Sequence, residues 1–491
     1  MPVSLQQKNQ HLLWRAGFGI DEKNLNNIIN TKTKKIVSKL FEEAASTPDF
    51  IDVADESLKK IYQELADQNT MNPLDKTLEK FSREKRQEIR KQSGADIKKL
   101  NLKWLNEMTT TSAVLREKMS LFWHGHFACK EDNIFNHQNL LQIIRTNALG
   151  SFKDLLFEVS KSAAMISFLN NQQNKKQHPN ENFAREVMEL FTLGRGNYSE
   201  EDIKEAARAF TGWGFNYKGE FVFKKNQHDD GIKTILGKTG NFEGEDVLNI
   251  LLEQKQTAKF ITQKIYKYFV NDDVDAANID WLSNRFYKNN YNISSLMKDI
   301  FSSDWFYDEK NIGAKIKSPV ELLVGIRKQL NIQLEKPEIQ LLLENALGQV
   351  LFYPRNVAGW PGGKNWIDSS SLMLRLQIPR LIKDDTEFDL TPKTDDDQQM
   401  GMKDNFYNKM QMELAKKYRI NAKINWTEYI NQFEKVKRED LLETLKQLML
   451  QTPFNSIHST VIESNIDKTS REAYIKSATI AIMSTPEYQL M

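Results

Sequence analysis

The sequence predicts a mainly α protein, a large helical domain carrying a small β-hairpin element. Three features predict it: long segments repeat apolar residues at helical spacing, several open on strong N-caps, and strand-like runs are few and short. Taken in order, Phe183, Val187, Leu190 and Phe191 follow helical spacing behind an Asn180 cap. Ser199-Glu200-Glu201-Asp202 is a capping box with Asp in place of Glu, and Ile203, Ala206, Ala207 and Phe210 share one face behind it. Gly212 and Gly214 stop that helix. Phe215-Asn216-Tyr217 and Phe221-Val222-Phe223 flank Lys218-Gly219-Glu220 as a hairpin, with residues 232–236 as a third strand. From Thr257 to Val270, the residues Phe260, Ile261, Ile265 and Phe269 recur helically. Ser318-Pro319-Val320-Glu321 is a capping box with Pro at the first helical position, opening a helix through Leu330.

The chain has 491 residues, 40% of them hydrophobic and 27% charged, enough apolar material for a large core. We expect a helical core domain over 1–383 with a charged helical insertion at about 55–103, an acidic mobile loop at 384–404, and a helical region over 405–491 packed on the core. Lys plus Arg is 68 against 66 Asp plus Glu, with the signs interspersed, which argues against nucleic acid as a partner. No run of about 18 apolar residues occurs, so no transmembrane segment is expected. The single cysteine, Cys129, excludes an internal disulfide and a thiolate zinc cluster, and reads as a buried, inert thiol. The start has no basic region followed by an apolar run. The protein therefore reads as cytoplasmic on this sequence, and as exported if its natural start carries a signal absent from it.

Several strings resemble a known bacterial family. They are Leu12-Leu13-Trp14-Arg15-Ala16-Gly17-Phe18-Gly19, the run from Lys118 to Phe127 containing Trp123-His124-Gly125-His126, and Arg145-Thr146-Asn147-Ala148-Leu149-Gly150-Ser151-Phe152. The longest runs from Pro179 through Gly194, followed by Ala206-Ala207-Arg208-Ala209-Phe210-Thr211-Gly212-Trp213 and His228-Asp229. With the ending Ser484-Thr485-Pro486-Glu487-Tyr488, they resemble, in order and over nearly the whole chain, the family catalogued as domain of unknown function 1800. The resemblance implies no activity. It implies export for many members, and many carry His where Phe191 stands here, so an essential ligand at that position would be lost in this chain.

Three constellations are candidates for chemistry. His124 and His126 are metal-ligand candidates. On a continuous helix they point ~200° apart, so they converge only if Gly125 ends the helix. Glu186 and Glu189 share one side of a helix, with Glu186 at the edge of its apolar face, where a carboxylate needs a partner or a purpose. The purpose would be acid/base catalysis or metal ligation, and the structural alternative is a salt bridge to Arg145, Arg185 or Arg208. His228 and Asp229, on a turn after the hairpin, complete a catalytic set if the fold brings them to Glu186. Glu181, Asn182 and Arg185 at the same helix start are ligand-binding candidates. So are Trp360 and Trp366 in the Gly/Pro loop, whose rings stack on a sugar or peptide or else pin the loop to the core. That loop fails the phosphate-loop template, with Ala358 in place of the first Gly and Asn365 in place of Ser/Thr.

The expected function is an enzyme or ligand-binding protein with one polar site in a helical core, acting on a small polar or sugar-like ligand, with a divalent metal as candidate cofactor. The alternative is a non-catalytic partner or assembly protein whose polar strings are buried networks that fix the fold. A pocket lined by Glu186, Glu189, His228 and Asp229 favours the first, and salt-bridged packing without a cavity favours the second.

Overall fold

A computed structural model describes residues 3–20, 25–67, 81–384, 420, 422–451 and 459–491. Among these, 63% are helical, and the only sheets are three antiparallel pairs of strands. The mainly α expectation holds. The acidic segment 384–404 lies outside the described residues from 385 onward.

The marked helices form where their caps place them. Ser199 accepts from the Asp202 amide while Asp202 reaches back, starting the Glu200–Ala209 helix. Ser318 and Glu321 do the same for Pro319–Gln329. Gly212 ends the first of these runs at φ +83°, where a Cβ would lie 2.7 Å from the Lys224 carbonyl. The hairpin forms between Trp213–Phe215 and Phe221–Phe223. The expected third strand, Lys233–Ile235, does not join it. It pairs with Lys238–Gly240 in a hairpin of its own, because Leu236 and Gly237 both take positive φ and turn the chain back at once.

The charged stretch 55–103 yields two described helices, Glu56–Asp67 and the 28-residue Arg83–Thr110. The second is solvated only in part. Ile97, Leu100, Trp104, Leu105 and Met108 are buried, packed with Phe18, Leu121 and Val324. The Val114–His126 helix crosses the centre of the molecule and is buried along most of its length. The Arg471–Met483 helix packs Ile475, Ala478 and Ile482 into a second core with Leu322 and Ile326. Residues 315–317 pair with 489–491 and lead directly into the Pro319–Gln329 helix. The Lys118–Glu321 ion pair ties the start of this helix to the central one.

Candidate functional site

The expected carboxylate constellation is held by arginines. The helix Asn182–Glu186 continues as a π-helix over Val187–Thr192, with the Leu193 amide bonding the Met188 carbonyl at 2.8 Å. Arg185 bridges Glu181 at 3.1 Å and Glu200 at 2.7 Å. Glu189 pairs with Arg195 at 3.2 Å and accepts from the Tyr198 hydroxyl at 2.5 Å. Arg208 grips both oxygens of Asp229, at 2.8 and 3.1 Å, and holds that carboxyl below its usual range. Asn182 donates to the Leu169 carbonyl at 3.1 Å. His228 is buried against Phe223, with Nδ1 at hydrogen-bond distance from both the hydroxyl and the carbonyl of Thr211. Glu186 is half-buried and has no hydrogen bond or ion pair among the described residues; burial, then the charge of Glu189, raises its pKa. Arg145 serves Glu117 instead, at 2.9 Å. Three clefts stand out in the surface, and none is lined by Glu186, Glu189, His228 or Asp229.

The helix does not end at Gly125. It runs through to His126 and carries the two imidazoles apart. A Cβ at Gly125 would meet nothing within 4 Å, so this glycine marks no break. His124 Nε2 accepts from the Phe352 amide at 3.1 Å, in a cage of Trp104, Phe352 and Trp360. His126 Nε2 lies 3.3 Å from the Phe191 carbonyl, and its Nδ1 lies 3.2 Å from Lys264 Nζ. Among the described residues no group of three or more His, Cys, Asp or Glu is placed to hold a metal ion. Cys129 is buried, and burial pushes its thiol well up.

His126 does open onto a cleft of about 540 Å³, a volume suited to a small molecule. Its walls come from distant parts of the chain. Phe122, Gly125 and His126 lie on the central helix, and Lys264, Lys267 and Tyr268 on the Lys255–Phe269 helix. Asp272, Lys315, Ser318 and Glu321 form a second side, and Trp360, Lys364 and Trp366 of the Gly/Pro loop a third. Gly359 lets that loop approach, since a Cβ there would lie 2.5 Å from the Gly125 carbonyl. Both tryptophans singled out from the sequence therefore reach one cleft.

Behind Lys315 and Glu321, which line the cleft, the protein buries an excess of cations. Glu321 is paired with Lys118 and accepts from the Ser318 amide at 2.7 Å. Burial pushes its carboxyl up, but Lys118 and the cap outweigh burial and hold it below the usual range. Around this one carboxylate lie Arg15, Lys118, Lys315, Lys317 and Arg375, all buried. Asp272 partners Lys315 at 2.6 Å. Lys317 lies between the rings of Trp14 and Tyr488, 3.7 and 3.8 Å from their centroids. Arg15 gives one bond to the Asn311 carbonyl at 2.8 Å, and its Nε and Nη1 find no acceptor among the described residues. Burial lowers it to about 9. At the rim, Lys267 and Lys364 are exposed and have no carboxylate partner among the described residues.

None of these cations was singled out from sequence. The signal at this site was the capping box that names their partner Glu321; Lys118 follows Arg116 and Glu117 and does not stand out.

The fold and the site define a helical protein with a cation-rich cleft between its central helix and its aromatic loop. The chain belongs to the family described as protein of unknown function (DUF1800), which matches residues 11–490. No curated protein and no solved structure shows significant similarity to it. Among the described residues no helix is long and apolar enough to cross a membrane.

Proposed function

We propose that the cleft beside His126 is the ligand site, and that it takes a small anionic, sugar-like molecule. One observation carries the reading: the side chains lining the cleft include more cations than carboxylates, with Lys267 and Lys364 unpaired at its rim among the described residues. An anion would give those two lysines a partner. Trp360 and Trp366 supply faces for an apolar sugar ring. Any transformation of the bound molecule would fall to Lys264 and His126, which touch each other at the cleft wall and can pass a proton between them.

The structural-network reading applies to the other constellation. Glu181, Arg185, Glu189 and Asp229 sit in matched ion pairs, which supports a role in holding the π-helix and the turn at 228–229.

Calorimetric titration tests the proposal. Methyl glucuronide should bind, and methyl glucoside, which lacks the charge, should bind at least ~10-fold more weakly. Lys267→Ala with Lys364→Ala alters only exposed side chains and should remove most of that difference. Equal binding of the two sugars, or an unchanged preference in the double variant, refutes the proposal.

A further inference from the structure

Lys264 stands apart from the other cleft lysines. It projects from the Lys255–Phe269 helix at the wall of the cleft, with its nitrogen 4.8 Å from the Phe260 ring centroid. It donates to the Leu190 carbonyl at 3.0 Å and lies 3.2 Å from His126 Nδ1. It makes no ion pair among the described residues. The role of His126 in this contact is fixed by its other side. The Phe191 carbonyl accepts only, so Nε2 must donate to it, and Nδ1 is left with a lone pair facing Lys264. The π-helix creates the arrangement, since its last carbonyls, Leu190 and Phe191, are the groups that hold the amine and the imidazole.

We propose that Lys264 is a carbonyl-reactive amine, which forms a reversible imine with an aldehyde or ketone carried by an anionic ligand in this cleft, with His126 as the proton acceptor. The proposal rests on the cleft being the ligand site. The lysine nitrogen forms a bond to the carbonyl carbon, and the C=O π pair moves to oxygen. One nitrogen proton passes to His126 Nδ1 and from there to that oxygen, giving the carbinolamine. The second nitrogen proton takes the same route to the hydroxyl, which leaves as water as the C=N bond forms. One amine and one carbonyl give one imine and one water, with no change in oxidation state.

Two features favour the reactive, neutral amine. Burial lowers Lys264 to about 8, so near neutral pH it offers far more free base than a surface lysine. Burial, then the charge of Lys264, also lowers His126 and keeps it a free base. A helix C-terminus favours the ammonium, and a capping lysine would be the bland role for this residue. The two roles differ in reactivity.

Reductive trapping separates them on the unmodified protein. Incubation with glyoxylate and cyanoborohydride, followed by peptide mass spectrometry, should label Lys264 at least ~10-fold faster than exposed Lys267 on the same helix. The labelling rate should rise with pH to half its maximum near about 8. Saturating methyl glucuronide, which has no free carbonyl, should protect Lys264 and leave Lys255, exposed on the same helix outside the cleft, unaffected. Labelling of Lys264 no faster than Lys267 overturns the proposal, even if methyl glucuronide binds. Fast labelling without protection overturns the ligand reading of the cleft and leaves the reactive amine standing.

Discussion

Two polar regions of this protein use charge in opposite ways. Around the π-helix and the 228–229 turn, most carboxylates meet an arginine: Glu181 and Glu200 with Arg185, Glu189 with Arg195, Asp229 with Arg208. Those pairs are partly exposed and nearly self-sufficient. Around Glu321, buried cations outnumber carboxylates, and two arginines keep nitrogens without acceptors among the described residues. Buried charge that is matched needs nothing further, whereas buried charge that is unmatched is held at a cost and is relieved by a ligand of opposite sign. The contrast teaches that dense polar sequence is a poor guide to a site. The balance of charge after folding is a better one.

The largest effect should come from Glu321. Glu321→Gln leaves Lys118 and its neighbours buried with no countercharge, and should cost about 3–5 kcal/mol in urea denaturation. Next comes Asp229→Asn, which breaks a two-bonded pair with Arg208 at a partly exposed position and should cost roughly 1 kcal/mol. Similar losses for these two variants would erase the distinction between the regions. Asp229 also has a pH signature. Its folded pKa is depressed, first by Arg208, so its stabilisation is present above the ordinary carboxylate range and is lost as pH falls through the lowered value. Wild type and Asp229→Asn should therefore begin to converge in stability below about pH 4 and meet once the pH is below the lowered value.

Arg185→Ala should cost less still, at most about 1 kcal/mol, because both of its carboxylate partners are well exposed; the loss should shrink in high salt. The smallest effect, and one of opposite sign, belongs to Glu186→Gln. The Glu186 carboxyl is raised, so its charged form is disfavoured in the folded state. Removing the charge should leave stability unchanged in acid and raise it slightly as pH climbs through the raised value. A fall in melting temperature at neutral pH would show a partner that the structure does not.

Local signals wrote much of the fold. Capping boxes at Ser199 and Ser318 and the hairpin about Gly219 were readable because each is settled within a few residues. The π-helix was not, since a widened turn keeps nearly the same apolar spacing as an α-helix and differs only in backbone bonding. A stop at Gly125 was the condition for the two histidines to converge, yet the helix runs on through it to His126. Of the candidate site, Trp360, Trp366 and His126 were visible as residue types. Their companions were not. Lys264, Lys315 and Glu321 meet only through the pairing of 315–317 with 489–491 and the crossing of helices far apart in sequence. Arg185 and Arg208 were visible as salt-bridge partners, but they meet Glu181 and Asp229 and not Glu186, and Arg195, which takes Glu189, was not.

If the cation-rich cleft is the anion site, a soaked anion should settle there first. Crystals soaked in selenate show this, because selenium scatters anomalously and marks where a tetrahedral dianion settles. The strongest peak should lie within the cleft, in reach of Lys315, Lys267 or Lys364, and should be lost when methyl glucuronide is added. An empty cleft, with selenate bound instead at the surface arginines of the paired region, would contradict it.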